Sequence, residues 1–165
     1  MIHARGILIG AMLVLQSALP AAAQSSVPSD KADALAAAAR KGDAAIVKKL
    51  LDEGVDVNTK YRYGATVLSY ACDRGHVDVV KLLIERGADV HVKDTFYNAT
   101  PLTWAVTPAM GRKPQHVEVV RLLLAKGGYE AETLSNALEA AQRAEQPEMV
   151  ALLEGAGAKA KPKEN

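Results

Sequence analysis

The sequence predicts an all-α solenoid of about four helix-turn-helix repeats with extended loops, preceded by a signal peptide. Three observations carry this expectation. Matching residues recur at intervals of about 33 positions. Within each copy the apolar residues fall three and four apart, the spacing of one helical face. Glycines stand where the helices must end. Of 165 residues, 49% are hydrophobic but only 4% aromatic. The core must therefore be built from Ala, Leu and Val, which suits thin helices packed closely rather than a broad aromatic-lined pocket. The length favours one domain.

Residues 1–23 read as the signal peptide. A short basic start at 1–5 precedes an uncharged apolar run at 6–19, Pro20 breaks the run, and Ala21-Ala22-Ala23 supplies the small residues of a cleavage site, with cleavage expected after Ala23. The apolar run is shorter than the roughly 20 residues of a bilayer span, which disfavours a retained anchor. No Cys follows it, which excludes a lipoprotein. The short, Ala-rich style is that of a bacterial leader, so the expected location is exported, in the periplasm or outside the cell. Beyond it, residues 24–30 are expected as a flexible linker, 31–159 as the repeat domain (repeats at about 31–63, 64–97, 98–129 and 130–159) and 160–165 as a disordered, Lys- and Pro-rich tail.

The chain carries 20 basic and 19 acidic side chains, and the leader removes Arg5 and no acid, so the mature protein is neutral. A nucleic-acid binder needs a basic surplus to displace counterions, so nucleic acid is set aside as a partner. No later segment is apolar enough to span a membrane, so no membrane contact is expected after cleavage. The single cysteine, Cys72, cannot form an intrachain disulfide and reads as a small buried residue.

The repeats run as follows. The first copy has Gly42-Asp43, then Ile46-Val47-Lys48-Lys49-Leu50-Leu51, then Gly54-Val55-Asp56-Val57-Asn58. The second has Gly64-Ala65-Thr66-Val67-Leu68-Ser69-Tyr70-Ala71, Gly75-His76, Val79-Val80-Lys81-Leu82-Leu83-Ile84 and Gly87-Ala88-Asp89-Val90. The third has Thr100-Pro101-Leu102-Thr103-Trp104-Ala105, His116, Val119-Val120-Arg121-Leu122-Leu123-Leu124 and Gly127. The fourth is weaker: Ala137-Leu138-Glu139-Ala140-Ala141, Met149-Val150-Ala151-Leu152-Leu153 and Gly157-Ala158.

This pattern resembles the ankyrin repeat family, with its period of 33 and its Thr-Pro-Leu-His-x-Ala signature. The resemblance spans roughly residues 31–159. Departures are plain: Ser69 and Thr103 stand where the signature has His, and only the third copy keeps the Pro. The resemblance implies a non-catalytic interaction module, expected as a monomer and without cofactor or metal. It would bind another protein through a concave surface made of loop fingertips and the exposed side of each first helix. Carried over by position, the fingertips hold Tyr61, Arg62 and Tyr63 in one copy and Thr95, Phe96 and Tyr97 in the next. The helix-side slots hold Arg40 and Lys41, Asp73 and Arg74, and Arg143 and Ala144. Four of the seven aromatics, Tyr61, Tyr63, Phe96 and Tyr97, fall on two adjacent fingertips, and Tyr, Trp and Arg dominate binding hot spots. The expected contact set is Tyr61, Arg62, Tyr63, Asp73, Arg74, Phe96, Tyr97 and Trp104. The same rings could instead stiffen the loops by packing on one another, and Trp104 sits at an inner slot that favours partial burial.

The physics of the pattern stands without the family. Thr66 and Thr100 can cap helix N-termini, Pro101 fits a first helical turn, Pro147 opens the last helix, and Gly75 and Gly87 end helices. Leu68, Ala71 and Cys72 share one face; Val79, Val80, Leu82 and Leu83 point inward from the next helix. Each copy is read as a helix pair followed by an extended loop. End copies should be polar outside, as Arg40, Lys41, Lys48 and Lys49 suggest at one end and Gln142, Arg143, Glu145, Gln146 and Glu148 at the other. The third copy has six extra residues between its helices, within 107–115, whose two Pro and one Gly demand a loop. His76 and His116, at equivalent places about 10 Å apart, are too far separated for one metal; these and His91 read as structural. The tripeptide Asn98-Ala99-Thr100 is a chance glycosylation match. Two other readings remain: an accessory in periplasmic stress protection or toxin neutralisation, and a ligand-binding or enzymatic role under the inserted loop.

Overall fold

In a computed structural model the described residues are 30–109 and 111–160. The leader expected at 1–23, most of the linker, Met110 in the insertion and most of the tail lie outside them. The described residues are all-helical: α1 (Asp30–Lys41), α2 (Ala44–Asp52), α3 (Val67–Arg74), α4 (Val77–Glu85), α5 (Pro101–Val106), α6 (Gln115–Lys126), α7 (Ala131–Arg143) and α8 (Pro147–Gly155). They pair as antiparallel neighbours and stack in two rows. The odd-numbered helices form an inner row, α1 on α3 on α5 on α7, and the even-numbered ones an outer row, α2 on α4 on α6 on α8.

Local chemistry sets the helix ends. Thr66 accepts from Ser69 N–H at 3.4 Å, and Thr100 from Thr103 N–H at 3.3 Å, with Pro101 in the first turn. Asp43 caps α2 through Ile46 N–H at 3.0 Å. Gly75 closes α3 at φ 71°, a left-handed conformation that costs other residues energy. The apolar stripes then meet at the seam. Leu35, Leu68, Leu102 and Leu138 form one buried column along the inner row, and Leu83, Leu123 and Leu153 another along the outer row. Each such leucine contributes about 1.5–3 kcal/mol of burial, available only when a neighbour is stacked against it. Ala71, Cys72, Val79, Val80 and Leu83 are fully buried, whereas Leu82 is only partly covered, at the rim of the outer row.

Side chains also tie each repeat to the one before. His76 Nε2–H donates to Arg40 O at 3.0 Å, His116 Nε2–H to Asp73 O at 3.2 Å, and Gln146 Nε2–H to Val106 O at 3.4 Å. His116 is wholly buried, with Nδ1 accepting from Lys113 N–H at 2.9 Å. Gln146 therefore departs from the expected polar outer face. It is 8% exposed because it occupies the slot of the two histidines. Its neighbours Gln142, Arg143, Glu145 and Glu148 are exposed, as are Arg40, Lys41, Lys48 and Lys49 at the other end.

A second departure concerns the loops. Long fingers follow the first two helix pairs, over residues 55–66 and 88–100. After the third pair only 128–130 separate Gly127 from α7. Too few residues remain for a finger, and the Ala-, Glu- and Leu-bearing run that follows adds helix instead, making α7 13 residues against eight in α3.

Candidate partner-binding surface

The tip of each finger is a short turn closed at its neck by a backbone bond. Tyr61 N–H donates to Ala65 O at 2.8 Å and Asp94 N–H to Ala99 O at 3.0 Å. The fingers join directly, since Thr95 N–H donates to Tyr63 O at 2.7 Å. Two non-glycine residues at the tips, Tyr63 at φ 60° and Asn98 at φ 52°, hold left-handed backbone. For Tyr63 that conformation costs about 1 kcal/mol, which the surrounding bonds must offset.

The residue that organises the second finger is Asp94, only 4% exposed. Its Oδ1 accepts from Phe96 N–H at 2.9 Å and Tyr97 N–H at 2.7 Å; its Oδ2 accepts from Ala99 N–H at 3.3 Å and from the Trp104 indole at 3.1 Å. One carboxylate thus fixes the finger and ties it to α5. Sequence reasoning passed over Asp94. Its available signal was an acid just before a turn, whose side chain can bond the backbone two residues on.

With the backbone held, the rings form a continuous row: Tyr63 to Phe96 at 5.2 Å between centroids, Phe96 to Tyr97 at 4.5 Å, Tyr97 to Trp104 at 5.5 Å. The last two are edge-to-face, a favoured geometry. The Arg62 guanidinium lies 4.8 Å from the Tyr63 ring centroid. Tyr63, Phe96 and Tyr97 remain 49, 61 and 68% exposed, while Trp104 is partly buried against the core. The rings do pack on one another, yet about half or more of Tyr63, Phe96 and Tyr97 stays exposed.

The other expected contact residues are placed differently. Tyr61 is half-buried and joins a separate group: its hydroxyl donates to Ala32 O at 2.7 Å, its ring lies 5.7 Å from Tyr70, and Arg40 stacks 3.9 Å above Tyr70. Burial, then the nearby Asp33 carboxylate, pushes the Tyr61 phenol up to about 12. Tyr70 was not singled out by sequence; it lies on the exposed side of α3, where its helical position is the only signal. Asp73 is committed to the inserted loop, accepting Ala109 N–H at 2.6 Å, and also pairs with Arg74 at 3.4 Å. Cys72 is fully buried, and burial, with Asp73 nearby, raises its thiol far above the ordinary range. His91 packs edge-on to Tyr129 at 4.8 Å. Among the described residues no three His, Cys, Asp or Glu side chains converge as for a metal ion, and no helix is long and apolar enough to cross a membrane.

Stacked helix pairs joined by backbone fingers, with an outward row of aromatics, define a helical-repeat binding scaffold. The chain matches a family model described as ankyrin repeats (3 copies) over residues 10–94 and 35–133, and it belongs to that family. Ankyrin repeats generally mediate protein–protein interaction and are typically non-catalytic. No curated protein matches the chain.

Proposed function

We propose that the chain is an exported adaptor that binds a partner protein through the finger row formed by Arg62, Tyr63, Phe96, Tyr97 and Trp104. The observation that carries the reading is the exposure of three neighbouring rings on a backbone fixed by Asp94 and by the bond between fingers. Solvent-facing loops do not need such rings for stability, and rigid aromatic anchors lose little entropy on association. Export rests on the basic–apolar–small pattern of residues 1–23, which supports a mature protein in the periplasm or outside.

The test is affinity capture from periplasmic extract with the chain beginning at Gln24, in parallel with a Tyr63→Ala, Phe96→Ala, Tyr97→Ala variant. A specific partner is expected with the parent and not with the variant. Equal recovery by both removes this surface. Amino-terminal sequencing of the protein recovered after expression with its leader should begin at Gln24; an intact Met1 removes the cleavage after Ala23, and recovery from the cytoplasm alone removes the export reading.

A further inference from the structure

The outer row of helices repeats one packing rule, and the rule breaks only at the two ends of the stack. Each outer helix carries a pair of apolar residues: Ile46-Val47 in α2, Val79-Val80 in α4, Val119-Val120 in α6 and Met149-Val150 in α8. Val79, Val119 and Met149 are buried, whereas Ile46, with no outer helix before it among the described residues, is 47% exposed. Val47, Val80 and Val120 are fully buried, whereas Val150, with no helix after it, is only partly covered. The first member of each pair therefore faces back along the row and the second faces forward. The rim keeps the same register. Leu82, Leu122 and Leu152 stand three residues after the backward member, and Leu51, Ile84 and Leu124 four after the forward one; all six pack partly buried against the core. In the end positions this apolar rim gives way to opposite charges, Lys49 on the back of α2 and Glu154 on the front of α8, both exposed. Lys49 makes only a loose pair with Glu53 at 4.0 Å.

We propose that the front of α8 in one molecule docks on the back of α2 in a second copy, so that the stack continues from chain to chain. A groove of about 390 Å³ beside Val150, lined also by Glu145, Pro147, Ala151 and Glu154, receives Ile46 of the next copy. Lys49 meets Glu154 where an internal seam has two apolar side chains. The charges select this arrangement: two fronts would bring Glu154 against Glu154, and two backs Lys49 against Lys49. A front-to-back contact leaves one free face at each end, so growth does not stop at two copies. The apolar area is small and its rim charged, so the association is weak, reversible and sensitive to salt. It departs from the monomer implied by the family resemblance, and it does not depend on the finger row.

The chain beginning at Gln24 is followed by sedimentation velocity from about 10 μM to about 1 mM, the range of a weak contact, at low salt and at about 0.5 M salt. At low salt the mean mass should rise with concentration past that of two copies, and salt should lower it. Lys49→Glu and Glu154→Lys alter exposed side chains, so each variant should keep the parent's circular dichroism and melting while weakening association about tenfold or more. The double variant, with both charges reversed, should recover to within about threefold of the parent. That recovery separates a front-to-back contact from a front-to-front one, in which the double variant would still repel. A parent that stays monomeric throughout overturns the proposal, as does a double variant no better than the singles. Loss of association in the Tyr63→Ala, Phe96→Ala, Tyr97→Ala variant would put the contact on the fingers instead. A chain stopped at Ala160 that associates where the full chain does not would show that residues 161–165, not a second copy, cover the front of α8.

Discussion

Replacing Asp94 with Asn removes one negative charge and one acceptor without changing the shape of the side chain. In the native finger Asp94 accepts four N–H donors, two on each oxygen. An Asn can keep the shorter pair, from Phe96 and Tyr97 at 2.9 and 2.7 Å, through its one carbonyl oxygen. Its amide nitrogen then confronts Ala99 N–H and the Trp104 indole, donor against donor. Ala99 is itself buried, so its N–H has no water to turn to. An orphaned buried donor costs about 1–3 kcal/mol, and two of them with the loss of charge assistance cost about 2–4 kcal/mol in all. Against a typical total of about 5–15 kcal/mol this is a large share. The assay is urea denaturation followed by far-ultraviolet circular dichroism, with amide exchange of Phe96, Tyr97 and Ala99. The midpoint should fall by about 1–2 M at a slope of about 2 kcal/mol/M, and Ala99 should lose its exchange protection. A variant within about 0.5 kcal/mol of the parent, with Ala99 still protected, would refute the claim that Asp94 holds the finger.

Gly75 and Gly87 share left-handed backbone but not surroundings: a Cβ on Gly75 would meet His116 Cε1 at 2.9 Å, and one on Gly87 meets nothing within 4 Å among the described residues. Gly87→Ala should therefore cost about 1 kcal/mol, the left-handed strain alone, and Gly75→Ala clearly more, compared by thermal melting; equal costs would show that His116 yields freely. The Tyr61 phenol is raised from 10.0 to about 12, chiefly by burial. Its folded form therefore holds the proton longer than the unfolded chain does. The stability linked to this group is intact below pH 10 and falls as pH climbs from 10 towards 12; Tyr61→Phe should flatten that part of the profile while losing about 1 kcal/mol at neutral pH with the bond to Ala32 O. Tyr129 Oη is buried without a partner among the described residues, so Tyr129→Phe should leave the melting temperature unchanged or raise it; a fall of several degrees would reveal a bonded hydroxyl.

What was legible in the sequence was local or periodic. Thr66, Thr100, Pro101 and Gly75 act on backbone within three or four residues of themselves, so their roles could be read in place. Leu68, Ala71 and Cys72 were legible because the helical period alone puts them on one face. The roles of His76, His116 and Gln146 were not, because each bonds a carbonyl 36 to 43 residues away. The repeat showed that the two histidines were equivalent, but not that a glutamine would serve the same slot. Asp94 was hidden for a related reason: one of its four donors is an indole ten residues on, in the next helix. Asp73 read as a helix-side contact for a partner, because the group it bonds, Ala109 N–H, lies in the insertion that breaks the period. The aromatic set was found but not its division, since the same exposed-loop rule covers Tyr61 and Tyr63, and only the packing sends one ring to Tyr70 and the other to Phe96.

The two ends of the stack explain why the finger row can stay stiff with only two members. The terminal inner helices, α1 and α7, have 12 and 13 residues, against eight in α3 and six in α5. Their extra turns lie at the N-terminal ends, the ends nearest the fingers. At one side Tyr61 OH reaches Ala32 O in the first turn of α1. At the other, Glu130, just ahead of α7, pairs with Lys93 at 3.1 Å, and Tyr129 takes the edge of His91. The exposed ion pair adds little by itself, so the Tyr61 bond and the Tyr129–His91 packing must do most of the holding. Each finger is thus gripped at its base by a neighbouring helix while its tip stays open. A longer row would shield these bases by stacking finger on finger. Here helix takes over that role at both ends, which is why residues 128–130 can be so few and why the Tyr97 side of the tip is left uncovered. Shortening α7 from its N-terminal end should therefore loosen Lys93 and His91 before it disturbs the column of leucines, a sequence of events that amide exchange can resolve residue by residue.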